Sequence, residues 1–222
     1  MKPTVFIAST LLAAGIFFQG VTAPVFCQAQ DMSRQDAILK QAWTDYNIGH
    51  YKQAMNALTP LAESGNDKAQ VLVGRMYENG LGVLPDPVTG CEWYGKAAAQ
   101  GNTEAMVLLG YAYKLGAGVP KDGVQAFNWI QKAADAGYAE GQFALAMLLN
   151  EGKIVEKNDA LAFAWAEKAA NQGHAEAMRF VGACYAHGAG VDKDMEKSKK
   201  WCDLAEGRGL PCDGAVFAQP AK

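Results

Sequence analysis

Residues 102–137 read NTEAMVLLGYAYKLGAGVPKDGVQAFNWIQKAADAG, and the pattern of this stretch recurs every 36 residues. The stretches 66–101, 138–173 and 174–209 align with it without a gap. A fixed period of this length is typical of repeat proteins in which each unit is one supersecondary element. The chain is therefore predicted to contain four tandem units.

Each unit has the pattern of two helices, which we name A and B. Helix A is rich in Ala, Leu and Val and is followed by a Gly-x-Gly pair at 80–82, 116–118 and 188–190. Glycines just past a helix end suit left-handed backbone angles, so helix A is predicted to end there. Helix B then begins at a short polar residue, which is Asp86, Asp122, Asn158 or Asp194. In the third unit Ile154 replaces the second glycine, which predicts a different path for the loop from Asn150 to Asp159.

Two features of each unit predict close packing of the helices. Gly74, Gly110 and Gly182 lie inside helix A, where a glycine costs about 1 kcal/mol relative to alanine. Close approach of helix B would offset that cost. Helix B carries one tryptophan per unit, a large apolar body to bury against the neighbouring pair, at positions 93, 129, 165 and 201. Stacked pairs of this kind share one continuous core, and the predicted fold is an all-α solenoid.

The unit A-x-x-x-LG-x-x-Y-x-x-G-x-GV-x-x-D, followed by A-x-x-W and KAA-x-x-G, resembles the Sel-one-like repeat (SLR), a relative of the tetratricopeptide repeat. The resemblance implies a right-handed α-solenoid of helix–turn–helix units that binds another protein in its concave groove. Relatives include periplasmic regulators, envelope assembly factors, host-interaction proteins and immunity proteins that neutralise toxic lipase effectors. The last unit departs from the pattern at Leu204 and Glu206, as expected of a terminal unit that faces water. Residues 30–65 resemble a tetratricopeptide-like capping helix pair, and 210–222 are predicted to be a tail.

The first 29 residues have the pattern of an export signal. Lys2 precedes an uncharged apolar run from Val5 to Phe18, and small residues follow up to Ala29, where cleavage is predicted. Cleavage after Ala23 and a lipid anchor on Cys27 fit the flanking residues less well. The apolar run is also shorter than the ~20 residues of a membrane span. The mature chain is therefore predicted to be periplasmic or secreted and not inserted in a membrane.

The composition argues against several functions. The 222-residue chain has 20 Lys plus Arg against 23 Asp plus Glu, a net charge of −3, and no basic run, so nucleic acid is a disfavoured partner. The sequence contains no catalytic motif, so no catalytic residue or cofactor is predicted. None of the serines of the chain begins a Ser-x-x-Lys motif, which disfavours a β-lactamase or cell-wall hydrolase. His174 and His187 would lie ~20 Å apart along one helix and could not share a metal ion.

Four cysteines remain after the predicted cleavage: Cys91, Cys184, Cys202 and Cys212. An exported chain meets an oxidising compartment, so a bridge is expected in the last unit. A pairing of Cys184 with Cys202 is slightly favoured over a pairing of either one with Cys212. Buried free thiols remain the alternative.

The predicted partner site is the concave face of the A helices. Helical spacing puts the third, sixth, tenth, thirteenth and fourteenth residues of each unit on that face, and these residues vary between units. Aromatic, Met and Arg side chains there are types enriched in interfaces. The candidate partner-binding residues are Arg75, Val107, Tyr111, Lys114, Phe143, Met147, Asn150 and Arg179. Two alternatives are that Val107, Phe143 and Met147 pack on the next A helix and expose little, and that the solenoid is only a spacer.

Overall fold

The computed structural model describes residues 22–212, with side chains from residue 33 onward. In this range it has ten α-helices and no strand. Consecutive helices pack on each other along the whole series, which confirms the predicted all-α solenoid. Residues 1–21 and 213–222, with most of the predicted signal and tail, lie outside the described part. The helices are α1 Thr22–Asn47, α2 Tyr51–Glu63, α3 Asp67–Asn79, α4 Pro87–Ala99, α5 Thr103–Leu115, α6 Gly123–Asp135, α7 Ala139–Glu151, α8 Asp159–Asn171, α9 Ala175–His187 and α10 Met195–Glu206.

The A helices are α3, α5, α7 and α9, and their ends are set by local chemistry. The side-chain oxygen of Asn102 accepts a hydrogen bond from the N–H of Ala105 at 2.9 Å, which satisfies one orphan donor at the start of α5. The same helix ends at Gly116, whose φ of 78° is left-handed. Asp122 then accepts bonds from the N–H groups of Val124 and Gln125 and begins α6. The other units end helix A in the same way, at Gly80, Gly152 and Gly188.

Helices A and B of one unit touch where helix A has its glycine. A methyl group on Gly74 would lie 2.5 Å from Cε1 of Tyr94, so the tyrosine ring fills the space that a side chain would take. In the third unit the corresponding residues are Ala146 and Ala166, both fully buried in one cluster. The gain of a methyl on helix A is therefore accompanied by a small residue on helix B, which keeps the packing volume close to constant.

The third unit also compensates for its missing loop glycine. In the second unit a side chain on Gly118 would lie 2.1 Å from the carbonyl oxygen of Pro87, the first residue of the preceding B helix. In the third unit Ile154 occupies the loop position and lies against Gly123, which is the first residue of α6. The loop from 150 to 159 keeps the left-handed cap at its start, and at its end the N–H of Asn158 donates to the carbonyl oxygen of Leu149, as the N–H of Asp122 does to that of Tyr113 in the second unit. The predicted difference in path is therefore not seen at either end of this loop.

The B-helix tryptophans pack backwards onto the preceding pair of helices. Trp93 contacts the buried cluster of α1 to α3, and Trp129 contacts the cluster of α3 to α5. This packing joins the local cores into one. A lysine one turn later covers the ring, with Nζ-to-centroid distances of 3.8 Å for Lys96 and Trp93, 4.2 Å for Lys132 and Trp129, and 3.6 Å for Lys168 and Trp165.

Helices α1 and α2 form the predicted capping pair around a turn at Gly49, whose φ is 85°. Ala42 of α1 and Leu58 of α2 are fully buried against each other's helix in the first core cluster. Helix α1 begins at Thr22 and so runs through Ala29, the last residue of the predicted signal. Cleavage at that position stays a prediction.

The structure corrects the favoured disulfide. Cys202 is bonded to Cys212, and Cys184 is a buried free thiol. Cys202 lies against its own A helix, where a Cβ on Gly182 would be 3.0 Å from its sulfur. Cys184 instead packs in the cluster that contains Phe163 of the preceding unit. The sulfur atoms of Cys184 and Cys202 therefore point to different neighbours. The chain after α10 brings Cys212 to Cys202.

Candidate functional site: the concave face of the A helices

The A helices lie side by side along one face of the solenoid, preceded by α1 of the cap. Helix α5 packs directly on α7, and charged side chains join neighbouring A helices elsewhere on this face. These direct contacts place the A helices on the inner side of the stack. We call the surface that they present between them the groove.

Two cations predicted to bind a partner are already paired. Arg75 of α3 contacts Glu104 of α5 at 2.6 Å, and Lys114 of α5 contacts Glu151 of α7 at 2.8 Å. Each pair joins consecutive A helices across the floor of the groove. Their first role is thus to hold the spacing of the helices, and any partner meets them as neutralised pairs.

His174 joins α7 to α9. Its Nδ1 accepts a hydrogen bond from the N–H of Ala177 at 3.2 Å, so it caps α9, and its Nε2 lies 2.8 Å from Glu140. With Nδ1 used as an acceptor, the hydrogen is assigned to Nε2, which donates it to the carboxylate. This hydrogen bond lowers the pKa of Glu140 although partial burial opposes the shift. The ring of Phe143 packs on the imidazole, with the ring centroids 4.9 Å apart, and completes this junction.

The structure corrects the assignment of Val107 to the groove surface. Val107 is only 3 % exposed, which agrees with the alternative that it packs on the next A helix. Val71, at the same position of the first unit, is buried with Leu109 of α5, which shows that this position faces the next helix. Phe143 has the same position in α7 but is larger, so it stays partly exposed. Its ring packs edge-to-face on Phe180, with the ring centroids 6.3 Å apart.

Two tyrosines bring hydroxyl groups into the acidic middle of the groove. Burial, and then the charges of Glu140 and Glu151, raise the pKa of Tyr111 to about 12. Burial raises the pKa of Tyr138 as well, with Glu104 and Glu140 adding to the shift. Both phenols are therefore protonated at neutral pH and can donate hydrogen bonds. The remaining predicted residues are partly exposed: Met147, Asn150 and Arg179.

A cleft of about 330 Å³ opens at the N-terminal end of the groove, on α3 between α1 and α5. Leu39, Trp43, Val71 and Leu72 provide its apolar surface. Asp36, Lys40, Lys68 and Glu104 complete its lining. The cleft thus lies between side chains of three successive A-type helices.

The contribution of α1 to this site was missed at the level of sequence. The capping pair does not align with the 36-residue unit, so no repeated position identified its inner face. The available signal was the spacing of Leu39 and Trp43, four residues apart on one side of a helix that also carries Lys40. Trp43 is moreover a tryptophan on an A-type helix, whereas the repeat tryptophans lie on B helices.

The groove offers little material for catalysis or metal binding. Within residues 33–212, whose side chains the structure describes, no three His, Cys, Asp or Glu side chains come together as a metal ion would need. Burial raises the pKa of the Cys184 thiol to about 12 and, less strongly, that of Cys91, so neither is a ready nucleophile. None of the helices in the described part combines the length and the apolar character of a transmembrane span.

Stacked helix pairs with an inner groove define an α-solenoid repeat protein. The model of the Sel1 repeat family matches residues 67–102, 103–138, 139–174 and 175–209. These matches cover more than half of the chain, so the protein belongs to the Sel1 repeat family. Each match begins one residue downstream of the unit defined from the sequence, and the last match ends with that unit at residue 209. Sel1 repeat proteins are generally non-catalytic scaffolds, and repeats of this type generally mediate protein–protein interaction.

Two solved structures resemble the chain closely enough to support the fold. A Sel1 repeat protein from Oxalobacter formigenes is 32 % identical, with a TM-score of 0.68 over 80 % of this chain and 72 % of that one. A protective antigen of uropathogenic Escherichia coli with an SLR fold is 30 % identical, with a TM-score of 0.71 over 86 % of this chain. This chain spans only 42 % of the antigen. Comparison with curated proteins gives no match.

Proposed function

We propose that the protein is an exported, non-catalytic scaffold that binds another protein in the concave groove. One observation carries the proposal. The buried positions repeat from unit to unit, whereas the groove positions differ, and several of them present partly exposed aromatic, Met or Arg side chains. Such residues are enriched where proteins bind each other, and a surface that differs along its length suits one asymmetric partner.

Two observations support export. The first residues have the composition of a signal peptide, with an apolar run between Lys2 and the small residues that end at Ala29. The bond between Cys202 and Cys212 is of a kind that persists in oxidising compartments and is rare in the cytosol. A periplasmic or secreted location fits both.

Two serines have structural surroundings that fit a non-catalytic role. Ser64 donates its hydroxyl hydrogen to the carbonyl oxygen of Leu61 at 2.8 Å, at the end of α2. Ser198 is 4 % exposed inside the contact of α9 and α10. Both side chains thus have a place in the fold that needs no catalytic role.

Capture of partners from an envelope extract tests the proposal. The bait is the full-length chain expressed with a C-terminal tag, so that its processing is native. The groove variant is Met147→Lys with Arg179→Glu, since both side chains are partly exposed and Arg179 forms no ion pair with the described residues. The matched control is Asn128→Lys with Lys200→Glu, two exposed residues of the B helices with the same charge changes.

The capture results with the three baits distinguish binding in the groove from binding at another face. A protein retained by the wild type and the control but lost by the folded groove variant supports the scaffold function and identifies the partner. A protein retained equally by all three baits would show that binding uses another face. A regulator and an immunity protein both need an occupied groove, so the identity of the captured protein, and not the loss itself, decides between them.

A further inference from the structure

The cleft at the N-terminal end of the groove has the size and floor of a pocket for one large apolar side chain. Its volume of about 330 Å³ is at the lower end of the range for ligand sites. Its floor consists of aliphatic side chains from two helices, Leu39 of α1 with Val71 and Leu72 of α3. Val71 and Leu72 are themselves buried, so the floor belongs to the core and is fixed in place.

Trp43 forms one wall of this cleft and differs from the repeat tryptophans. The rings of Trp93, Trp129 and Trp165 are each covered by a lysine. Trp43 stacks on Tyr46, with ring centroids 5.8 Å apart, yet 48 % of it is exposed. An ordered, half-exposed indole beside an apolar floor is the type of residue that dominates binding energy at interfaces.

The charge at the third position of the unit changes sign at the cleft. The third residue of each unit is Lys68 in the first and a glutamate in the next three. Glu104, which reaches the cleft, is neutralised by Arg75. Lys40 and Lys68 have no ion pair among the residues whose side chains the structure describes, and Asp36 is the one unpaired acid of the lining. The unpaired side chains thus sum to a positive charge, although the whole chain is at −3.

We infer that this cleft binds a segment of the partner protein in which a large apolar side chain is flanked by acidic residues. The apolar side chain packs against Trp43, Val71 and Leu72. The flanking carboxylates lie next to Lys40 and Lys68, whose charges also attract the segment before contact. The inference rests on the proposed function, because it names the chemistry of a partner in the same groove. It also states which segment of that partner lies at the N-terminal end of the groove.

Selection from a random dodecapeptide display library tests the inference without knowledge of the partner. The targets are the full chain, its Lys40→Glu/Lys68→Glu variant and a Lys199→Glu/Lys200→Glu control with the same change of net charge at the other end. We expect the wild type and the control to enrich peptides with a large apolar residue flanked by Asp or Glu. The Lys40→Glu/Lys68→Glu variant should lose these peptides and enrich ones flanked by Lys or Arg.

Affinities of one enriched peptide, measured by fluorescence anisotropy, complete the test. Trp43→Ala should weaken binding at least tenfold, and 300 mM added salt should weaken it as well, while circular dichroism shows an unchanged helix content. Peptides without acidic bias, no enrichment, or an affinity that Trp43→Ala leaves intact would overturn the inference. Peptides lost only with Met147→Lys/Arg179→Glu would overturn it and leave the proposed function standing, whereas peptides insensitive to both changes would contradict both. Self-association lost with Trp43→Ala would replace the partner by a second copy and also overturn the inference.

Discussion

At the scale of single residues, stability depends on which glycines are in contact with another helix. Gly74 and Gly95 are both inside helices, where alanine is intrinsically favoured by about 1 kcal/mol. A methyl on Gly74 would collide with the ring of Tyr94, while nothing lies within 4 Å of one on Gly95. The local environment, and not helix propensity, thus separates two chemically identical substitutions.

We expect Gly74→Ala to lower the free energy of unfolding by about 1–2 kcal/mol, since the cost of overpacking exceeds the gain in propensity. Gly95→Ala should raise it by about 0.5–1 kcal/mol and is the matched control. Urea unfolding followed by circular dichroism measures both. Equal effects of the two substitutions would mean that helices α3 and α4 are not in close contact at Gly74.

A second residue-scale prediction concerns Glu140, whose pKa is lowered from its ordinary value of 4.5 by the hydrogen bond from His174. A lowered pKa in the folded state means that the stabilisation is present above pH 4.5 and is lost as the pH falls through the folded pKa. The wild type should therefore be more stable than Glu140→Gln by about 0.5 kcal/mol at pH 6, and the difference should shrink as the pH falls below 4.5. Glu92→Gln, at an exposed site of α4, should show no such pH dependence. A pH-independent difference for Glu140→Gln would show that the hydrogen bond from His174 does not favour the charged form of Glu140.

At the scale of elements, the last B helix depends on a covalent link. Helix α10 belongs to the last repeat that the family model matches, and the bond between Cys202 and Cys212 ties the chain after it back to its inner side. The last unit also has the exposed Leu204 where other units have a lysine over the tryptophan. The disulfide therefore acts where the repeat contacts end.

We expect Cys212→Ser to lower the free energy of unfolding by about 2 kcal/mol under oxidising conditions, because the bridge closes a loop with a sequence separation of 10. A thiol reductant should have the same effect on the wild type and no further effect on the variant. Urea unfolding with and without reductant measures this. If the reductant destabilised Cys212→Ser as well, another thiol pair would have to be involved.

The elements also show how far sequence reasoning extends. Positions that repeat, such as the glycine at 110 or the tryptophan at 129, repeat because packing repeats, so the period predicted the order of the helix pairs in the four units. Val107 and Trp43 are not fixed by the period. Whether such a side chain is buried depends on how the next A helix is rotated and on where the capping helix lies, and neither leaves a pattern in one sequence. Cys212 was hard to place for a related reason, since it lies beyond the last unit.

At the scale of the whole molecule, each unit contacts only its neighbours, yet neighbouring units are not interchangeable. The loop residue of one unit meets the first residue of the preceding B helix, as Gly118 meets Pro87 and Gly190 meets Asp159. Between the second and third units the glycine is on the other side, because Ile154 meets Gly123. The sequence therefore encodes which unit follows which, a constraint that a uniform repeat would lack.

Deleting single units tests this order. Removal of residues 138–173 brings Gly190 to Gly123, which leaves a small gap, whereas removal of residues 102–137 brings Ile154 to Pro87, where even a methyl group would lie 2.1 Å from a carbonyl oxygen. Both shortened chains keep the capping pair and the last unit. In urea unfolding, we expect the free energy of unfolding of the chain without 102–137 to be about 2 kcal/mol lower than that of the chain without 138–173, which is the usual cost of overpacking.

Ile154→Gly should then act with opposite signs in two backgrounds. In the full-length chain it removes a side chain that fills the space over Gly123 and should lower the free energy of unfolding by 1 kcal/mol or more. In the chain without 102–137 it removes the collision with Pro87 and should raise the free energy of unfolding. Two sources of instability are separated in this way, since loss of a unit as such would make Ile154→Gly destabilising in both chains. A sign that does not change would show that the units join without regard to their order.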